Sequence, residues 1–457
     1  MAKPKSVLIS GFSDRECKEF LNRGVSLSAW ISVSKFKDEK ANDFGLETYL
    51  HSDIRAMSVP VVVDVKLSSS FKEKLRASTF DYFRRHYYRN NFLEYSNLRS
   101  WNHLDDVFYL AASFFYDLIT RKKIDFIVSS NIPHEGALLV LFGVAKLLNI
   151  PTIMLFQSHI PFRMWAMKDL EDYGKFNVFS GHNVPVDLPD IPEKPFYMRY
   201  NINEVYKRKY WKTIILQTLK IFFMSITAFA FFSRDRYFRN IFRLHGTKDR
   251  YRLIYHDRSN TEKLDLSVPY IYFPLGLQPE MTTDAIGLRF GDQLLAIEEL
   301  SAAAPETVLV YVKENPKQTY HMRGESFYRR LNALSNVRYI ANDFPSLDLI
   351  KNAKCVAQVT GTAGYEAALL GVPAICFGAT WYSSLYGVFP WKNRETLAHA
   401  LKFTPDENKL KKSYDKLTRK TYKGLIDQNY KALIPNYDEK QAVEQTILSI
   451  CDMINEY

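Results

Sequence analysis

The stretch Asp125–Gln157 reads "DFIVSSNIPHEGALLVLFGVAKLLNIPTIMLFQ" and constrains the fold more than any other. A short apolar run, Asp125–Ser129, precedes a segment whose apolar residues recur at helical spacing: Leu139, Phe142, Ala145 and Leu147 or Leu148. A second apolar run, Thr152–Phe156, follows Pro151. Strand, helix and strand in that order are the unit of a parallel sheet covered by helices. Ser6–Ser10 and Pro60–Val65 are further strand candidates upstream, and the aromatic, basic stretch Phe71–Phe92 fits an amphipathic helix.

The same grammar returns after residue 265. Strand candidates there are 268–275, 307–314, 336–340, 354–359 and 373–378, with helical patterns between most of them. At 457 residues the chain exceeds one ordinary core, so two domains are expected. The expected architecture is α/β. Two doubly wound Rossmann-like domains, 1–185 and 266–457, face a central cleft and are joined through 186–265. In such sheets ligands bind beyond the carboxyl ends of the strands.

Charge is concentrated, not spread. The chain carries a formal +11, and Lys207–Arg252 alone holds twelve Lys or Arg against two Asp. The remainder is close to neutral, which argues against a nucleic-acid-binding surface. Within the connector, Thr213–Phe232 is long and apolar but contains Lys220 and Gln217. Thr213, Gln217, Lys220 and Thr227 share one stripe, and "KRK" at 207–209 and Arg234, Arg236, Arg239 and Arg243 flank the segment. The pattern fits a helix lying in an anionic membrane surface. A helix buried between domains, and a spanning helix burdened by Lys220, are the other readings. The basic run 408–424 reads as a solvated helix face.

The four cysteines show no metal-ligand spacing, and Cys355 and Cys376 read as core residues of a reduced, cytosolic protein. The apolar run near the N-terminus, Val7 to Gly11, is too short for a secretion signal.

Three clusters stand at predicted strand ends. "VTGTAGYEAALLG" places Thr360, Gly361, Thr362 and Gly364 between a strand and a helix, with Glu366 in the helix's first turn. Such a turn offers backbone N–H groups and hydroxyls to a phosphate, with Glu366 accepting from sugar hydroxyls. A tight packing turn would use similar residues. It is neither a Walker loop nor a dinucleotide fingerprint. "YFPLGLQPEMTTD" places Gln278, Glu280, Thr282, Thr283 and Asp284 after a strand, and "VYVKENP" places Lys313, Glu314 and Asn315 after the next. All three belong to one sheet and converge on one rim, so a nucleotide site is expected there, with Lys313 facing phosphate.

The order "FPLGLQPEMTT", "VKENP", "LIKNAKCVAQVTGTAGYEAALLGVPAICFG" resembles bacterial capsule and surface-polysaccharide biosynthesis glycosyltransferases of GT-B type, over roughly 268–390. In that family the middle motif commonly reads Lys-x-His-Pro. Here the histidine's place is taken by Asn315, an amide without positive charge. The N-terminal half is similar through "NIPHEGALLVLFGVAKLLNIPTIML".

The resemblance implies transfer of a sugar from a nucleotide-activated donor to a growing, lipid-linked or polymeric surface glycan at the cytoplasmic membrane face. It implies no cofactor and no metal. Gln278, Lys313, Asn315, Thr360, Gly361, Thr362, Gly364 and Glu366 would hold the donor. His134 with Glu135 would supply the base, Glu280 is a second catalytic candidate, and Asp14 and His159 are weaker ones. A nucleotide-sugar 2-epimerase, or a non-catalytic assembly protein of the same fold, are the alternatives.

Overall fold

In a computed structural model, the structure describes residues 6–32, 46–55, 67–91, 103–134, 136–176, 179, 186–190, 264–278, 280–315, 318, 323–340 and 344–456. The strand expected at Pro60–Val65, Glu135 and most of the basic connector lie outside the described residues.

The first unit carries β1 (Val7–Ser10), β2 (Leu27–Ser32), β3 (Glu47–Leu50), β4 (Phe126–Ser129), β5 (Thr152–Gln157) and β6 (Arg163–Met167). Its helices are α1 (Asp14–Asn22), α2 (His51–Arg55), α3 (Ser69–Asn91), α4 (His103–Arg121) and α5 (Gly136–Leu147). The second unit carries β7 (Tyr270–Pro274), β8 (Leu309–Lys313), β9 (Val337–Ile340), β10 (Cys355–Gln358), β11 (Ala374–Cys376) and β12 (Val388–Pro390). Among these run α6 (Gln293–Ala303), α7 (Glu325–Asn332), α8 (Ser346–Asn352) and α9 (Ala363–Leu369), followed by α10 (Arg394–Leu401) and α11 (Glu407–Thr418).

Sheet order fixes where ligands can sit. The second sheet runs β12-β11-β10-β7-β8-β9, every pairing parallel. That is the 3-2-1-4-5-6 order of dinucleotide-binding folds, with its reversal between β7 and β10. The first sheet runs β3-β2-β1-β4-β5-β6, parallel except for β6, and reverses between β1 and β4. Each unit therefore has one crevice, at the carboxyl ends of its two central strands.

Local sequence explains the elements. β1, β4 and β10 are buried at every position, as expected of parallel strands covered on both faces. α1 opens with a capping box: Ser13 N donates to Glu16 Oε2 (2.7 Å), and Glu16 N donates to Ser13 Oγ (3.4 Å). α5 is buried from Gly136 through Ala145, so it lacks the polar face of a surface helix. α11 buries Leu410, Tyr414 and Leu417 and exposes Lys409, Lys411, Lys412 and Lys416. The basic run there is thus the solvated face expected of it. All four cysteines are free, and Cys355 and Cys376 are buried.

The chain's tail differs from the division read from the sequence. After α11, β13 (Tyr422–Lys423) pairs with β6 of the first sheet, and α12 (Glu439–Glu456) packs on α1. Ile447, Ile450 and Met453 of α12 join Val7, Ile9, Phe20 and Met164 in one apolar cluster. The sequence reading placed this tail with the second unit; its apolar stripe completes the first. A further cluster runs from α3, α4 and α5 to Tyr365, Trp381 and Tyr382, so the two units share buried surface.

Candidate functional site

The two crevices face each other. In the first unit, β1 ends at Ser10 and the chain turns through Gly11, whose φ of +82° is one that L side chains rarely adopt. A Cβ there would also collide with Ser130 Oγ, so the β1 and β4 turns touch through this glycine. After β4, Ser129 Oγ donates to Asn131 O (2.7 Å), and Ile132 N donates to Asn131 Oδ1 (2.9 Å). This turn delivers His134 to the start of α5.

In the second unit the loop after β7 leads to Glu280, whose carboxylate caps a single π-helical turn, Met281–Ile286, accepting from Met281 N (3.2 Å). Short π-helical segments are frequent at functional sites. His134 Nδ1 stands 3.4 Å from Glu280 Oε1, with side chains 36% and 20% exposed. Two candidates 146 positions apart in sequence thus meet across the cleft.

A buried polar network holds the Glu280 loop. Glu314 and Arg323 form an ion pair with side chains 4% and 3% exposed; Arg323 Nη2 lies 2.9 Å from Glu314 Oε1, and Nε bonds Oε2. Arg323 also donates to Gln278 Oε1 (2.8 Å) and Gly276 O (3.0 Å). Gln278 Nε2 donates to Asp284 Oδ1 (2.7 Å), and Asp284 Oδ2 accepts from Glu280 N (2.7 Å). Gln293 bonds both Gly276 N (2.6 Å) and Gln278 Oε1 (2.7 Å). Burial raises the Asp284 pKa against the bonds that favour its charged form. From the first unit, Arg85 on α3 reaches Leu288 O (2.8 Å) and Asp284 O (3.3 Å).

The turn after β10 is also braced. Gly361 O accepts from Gln358 Nε2 (2.6 Å) and Tyr382 Oη (2.6 Å). Gly364 is required by close approach: a Cβ there would collide with Gln358 Nε2 and lie 2.8 Å from Tyr382 Oη. Thr360 is 8% exposed. Thr362 occupies the N-cap of α9 without a side-chain capping bond, and Glu366 lies in the first turn. A Cβ on Gly378 would lie 2.8 Å from Thr360 Cγ2 and 3.0 Å from Gly287 Cα. The loops after β7, β10 and β11 therefore pack edge to edge around the β7/β10 crevice.

Several expected roles look different in three dimensions. Lys313 is 4% exposed and its ammonium donates to Phe344 O (2.5 Å) and Ser346 Oγ (2.8 Å), tying β8 to the start of α8. Gln278 belongs to the Arg323 network. Asn315 bonds Glu314 Oε1 through its backbone N–H (2.8 Å). Asp14 opens α1 beside its cap, Ser13. His159 stacks on Trp381 (centroids 5.4 Å apart) with Tyr430 edge-on, and burial pulls its pKa down to about 4. Among the described residues, no three His, Cys, Asp or Glu cluster as a metal site. Nor is any described helix long and apolar enough to cross a membrane.

Sequence reasoning missed Arg85, Arg323, Gln293 and Tyr382. Arg323 sits among residues with no strand or helix signal, and its partners lie 9, 45 and 47 positions away. The one available signal was the pairing demand of Glu314, a carboxylate at the end of a buried strand.

Two Rossmann-like units with opposed crevices define the GT-B-like class of fold. Residues 286–422 match the family described as "Capsule polysaccharide biosynthesis protein", a stretch that runs from the end of the π-helical turn through β8 and the β10 turn to the start of β13 and leaves β7 and Glu280 outside it. No curated protein matches the chain. Among solved structures, it is similar to the KpsC beta Kdo 2,7 transferase of Thermosulfurimonas dismutans at 12% identity and a TM-score of 0.33, covering 74% of this chain and 88% of that one. The beta Kdo 2,4 transferase from the same organism gives 12% identity and a TM-score of 0.32, covering 65% and 79%. The UDP-GlcNAc 2-epimerase of Methanocaldococcus jannaschii gives 12% identity and a TM-score of 0.27, covering 91% and 98%. At scores of this size, the fold assignment rests on this chain's own sheet order.

Proposed function

We propose that the chain is a glycosyltransferase of capsule polysaccharide assembly. A nucleotide-activated sugar sits over the β7/β10 crevice, and the glycan acceptor sits over the β1/β4 crevice. The observation that carries this is the approach of His134 to Glu280 across the cleft, in a chain bearing a capsule-synthesis domain. The acceptor hydroxyl attacks the anomeric carbon while the bond from that carbon to the nucleotide phosphate breaks. The phosphate leaves with the electron pair, and the acceptor proton passes to His134. Glu280 stabilises the imidazolium that forms, as carboxylates do beside general-base histidines.

Thr360, Gly361, Thr362 and Gly364 border the leaving phosphate, where backbone N–H groups oppose its developing charge. Glu366, in the first turn of α9, accepts from donor sugar hydroxyls. The reaction so written needs no cofactor and no metal. The acceptor is lipid-linked, and the basic connector holds the enzyme at the inner face of the cytoplasmic membrane; flotation of the full chain with anionic liposomes at low salt tests this. The epimerase reading is not favoured, since the family match is to capsule synthesis.

A thermal-shift screen with UDP, CMP, GDP and CDP tests the central claim. One nucleotide should stabilise the chain, by about 2.7 kcal/mol at a hundred times its Kd. If none of the four moves the melting temperature, the transferase reading fails.

A further inference from the structure

Among the described residues two guanidinium groups are buried, and their surroundings differ. Arg323 is matched by a carboxylate and two carbonyl oxygens. Arg163 is 7% exposed, its Nη1 has no hydrogen-bond partner, and it takes part in no ion pair among the described residues. Burial lowers its pKa, and among the described residues no carboxylate opposes the shift. An unpaired buried charge is costly, and proteins retain one where something else supplies the counter-charge.

Position shows what that something is near. β5 runs parallel to β4 and ends at Gln157, and β6 returns antiparallel from Arg163. Arg163 therefore stands on the carboxyl rim of the first sheet, the same rim that carries the His134 turn. Side chains alternate along a strand. Met164 packs with α12, whereas Trp165 packs 5.0 Å (centroid to centroid) from Trp381 of the second unit. Arg163 shares Trp165's face, towards the other unit. Directly across the strand pair lies Lys423, which is exposed, while its neighbour Tyr422 pairs with Met164 on the opposite face. Like charges opposed across two strands repel unless an anion sits between them. The rim is held firmly at this point: Gln157 donates to Arg163 O (2.9 Å) and accepts from Ile426 N (2.8 Å).

We infer that Arg163 and Lys423 form an anion subsite on the first unit's rim, taking a carboxylate or phosphate group of the glycan acceptor. This rests on the transferase reading only for the word acceptor; the anion subsite itself follows from the geometry. The guanidinium fork suits either group, bidentately, and Lys423 adds a mobile point charge.

The test is calorimetric titration and thermal melting of the full chain with glucuronate and with glucose 1-phosphate, using glucose as the neutral control. Either anion, but not glucose, should bind and raise the melting temperature; which one does so assigns carboxylate or phosphate. In Arg163→Met the affinity should fall at least tenfold, while the anion-free protein melts at or above wild type, because an unpaired buried charge has gone. Lys423→Gln, at an exposed position, should fold normally and bind severalfold more weakly. Both variants should keep the nucleotide response, since neither touches the β7/β10 rim. The inference is overturned if neither anion binds wild type, if both variants bind as wild type does, or if Arg163→Met melts lower with its anion response intact. If anions bind but no nucleotide does, the subsite stands and the transferase reading falls.

Discussion

Replacing Arg323 with Met should unsettle the second crevice from beneath. Arg323 makes two bonds to Glu314, one to Gln278 Oε1 and one to Gly276 O, all from a side chain 3% exposed. Removing one partner of a buried ion pair strands the other charge and costs about 3–5 kcal/mol. The two further carbonyl bonds add about 1 kcal/mol each. The double variant Glu314→Leu/Arg323→Met removes the stranded carboxylate and should lose the two carbonyl bonds and the Asn315 N–H bond to Glu314, about 3 kcal/mol in all. The double variant should therefore be more stable than Arg323→Met alone. Urea unfolding of the full chain, followed by tryptophan fluorescence, measures both. The reasoning is refuted if Arg323→Met costs less than about 1 kcal/mol, or if the double variant is no more stable than the single one. Gln278 and Asp284 link this network to the Glu280 backbone, so the single variant should also lower turnover at saturating donor.

Three other outcomes are expected. His134→Ala should cut transfer by about 10²–10⁴-fold, as loss of a general base does, while leaving the nucleotide-induced melting shift in place; a retained rate moves the base elsewhere. Gly364→Ala should clash with Gln358 and Tyr382 and cost about 1–3 kcal/mol by overpacking, read as a lower melting temperature with weaker nucleotide binding. His159 is held neutral by burial, its pKa pulled from 6.5 to about 4. Its unfolded form takes up the proton first, so its stabilising contribution is present above about pH 6.5 and is lost as pH falls towards 4, by up to about 3 kcal/mol; His159→Phe should flatten that part of the stability–pH curve.

Much of the second unit was legible because its strands are unbroken apolar runs: Tyr270–Pro274, Leu309–Lys313 and Cys355–Gln358 lie where the pattern put them. β6 was not legible. Its Arg163 and two methionines do not read as a strand, and its burial comes from Trp381 and α12, far away in the chain. The β7, β8 and β10 loops converge as strand order requires, yet sequence gives a residue's type and not its direction. Lys313 shows this: the charge stands at the expected strand end, but the ammonium turns to Phe344 and Ser346. His134 and Glu280 were each visible as polar residues at strand ends, and only the opposed crevices join them.

The return of β13 and α12 to the first sheet has a consequence for synthesis. A chain leaving the ribosome usually completes its N-terminal domain first. Here β1 to β6 emerge early, but the face of that sheet bearing Val7, Ile9 and Met164, covered in part by α1, is completed only when α12 appears. The second unit, β7 through α11, can close before the first. The early-made half must wait with part of that apolar surface bare for the time taken to translate the later half, which makes it the natural client of chaperones and the first place where a truncated product aggregates.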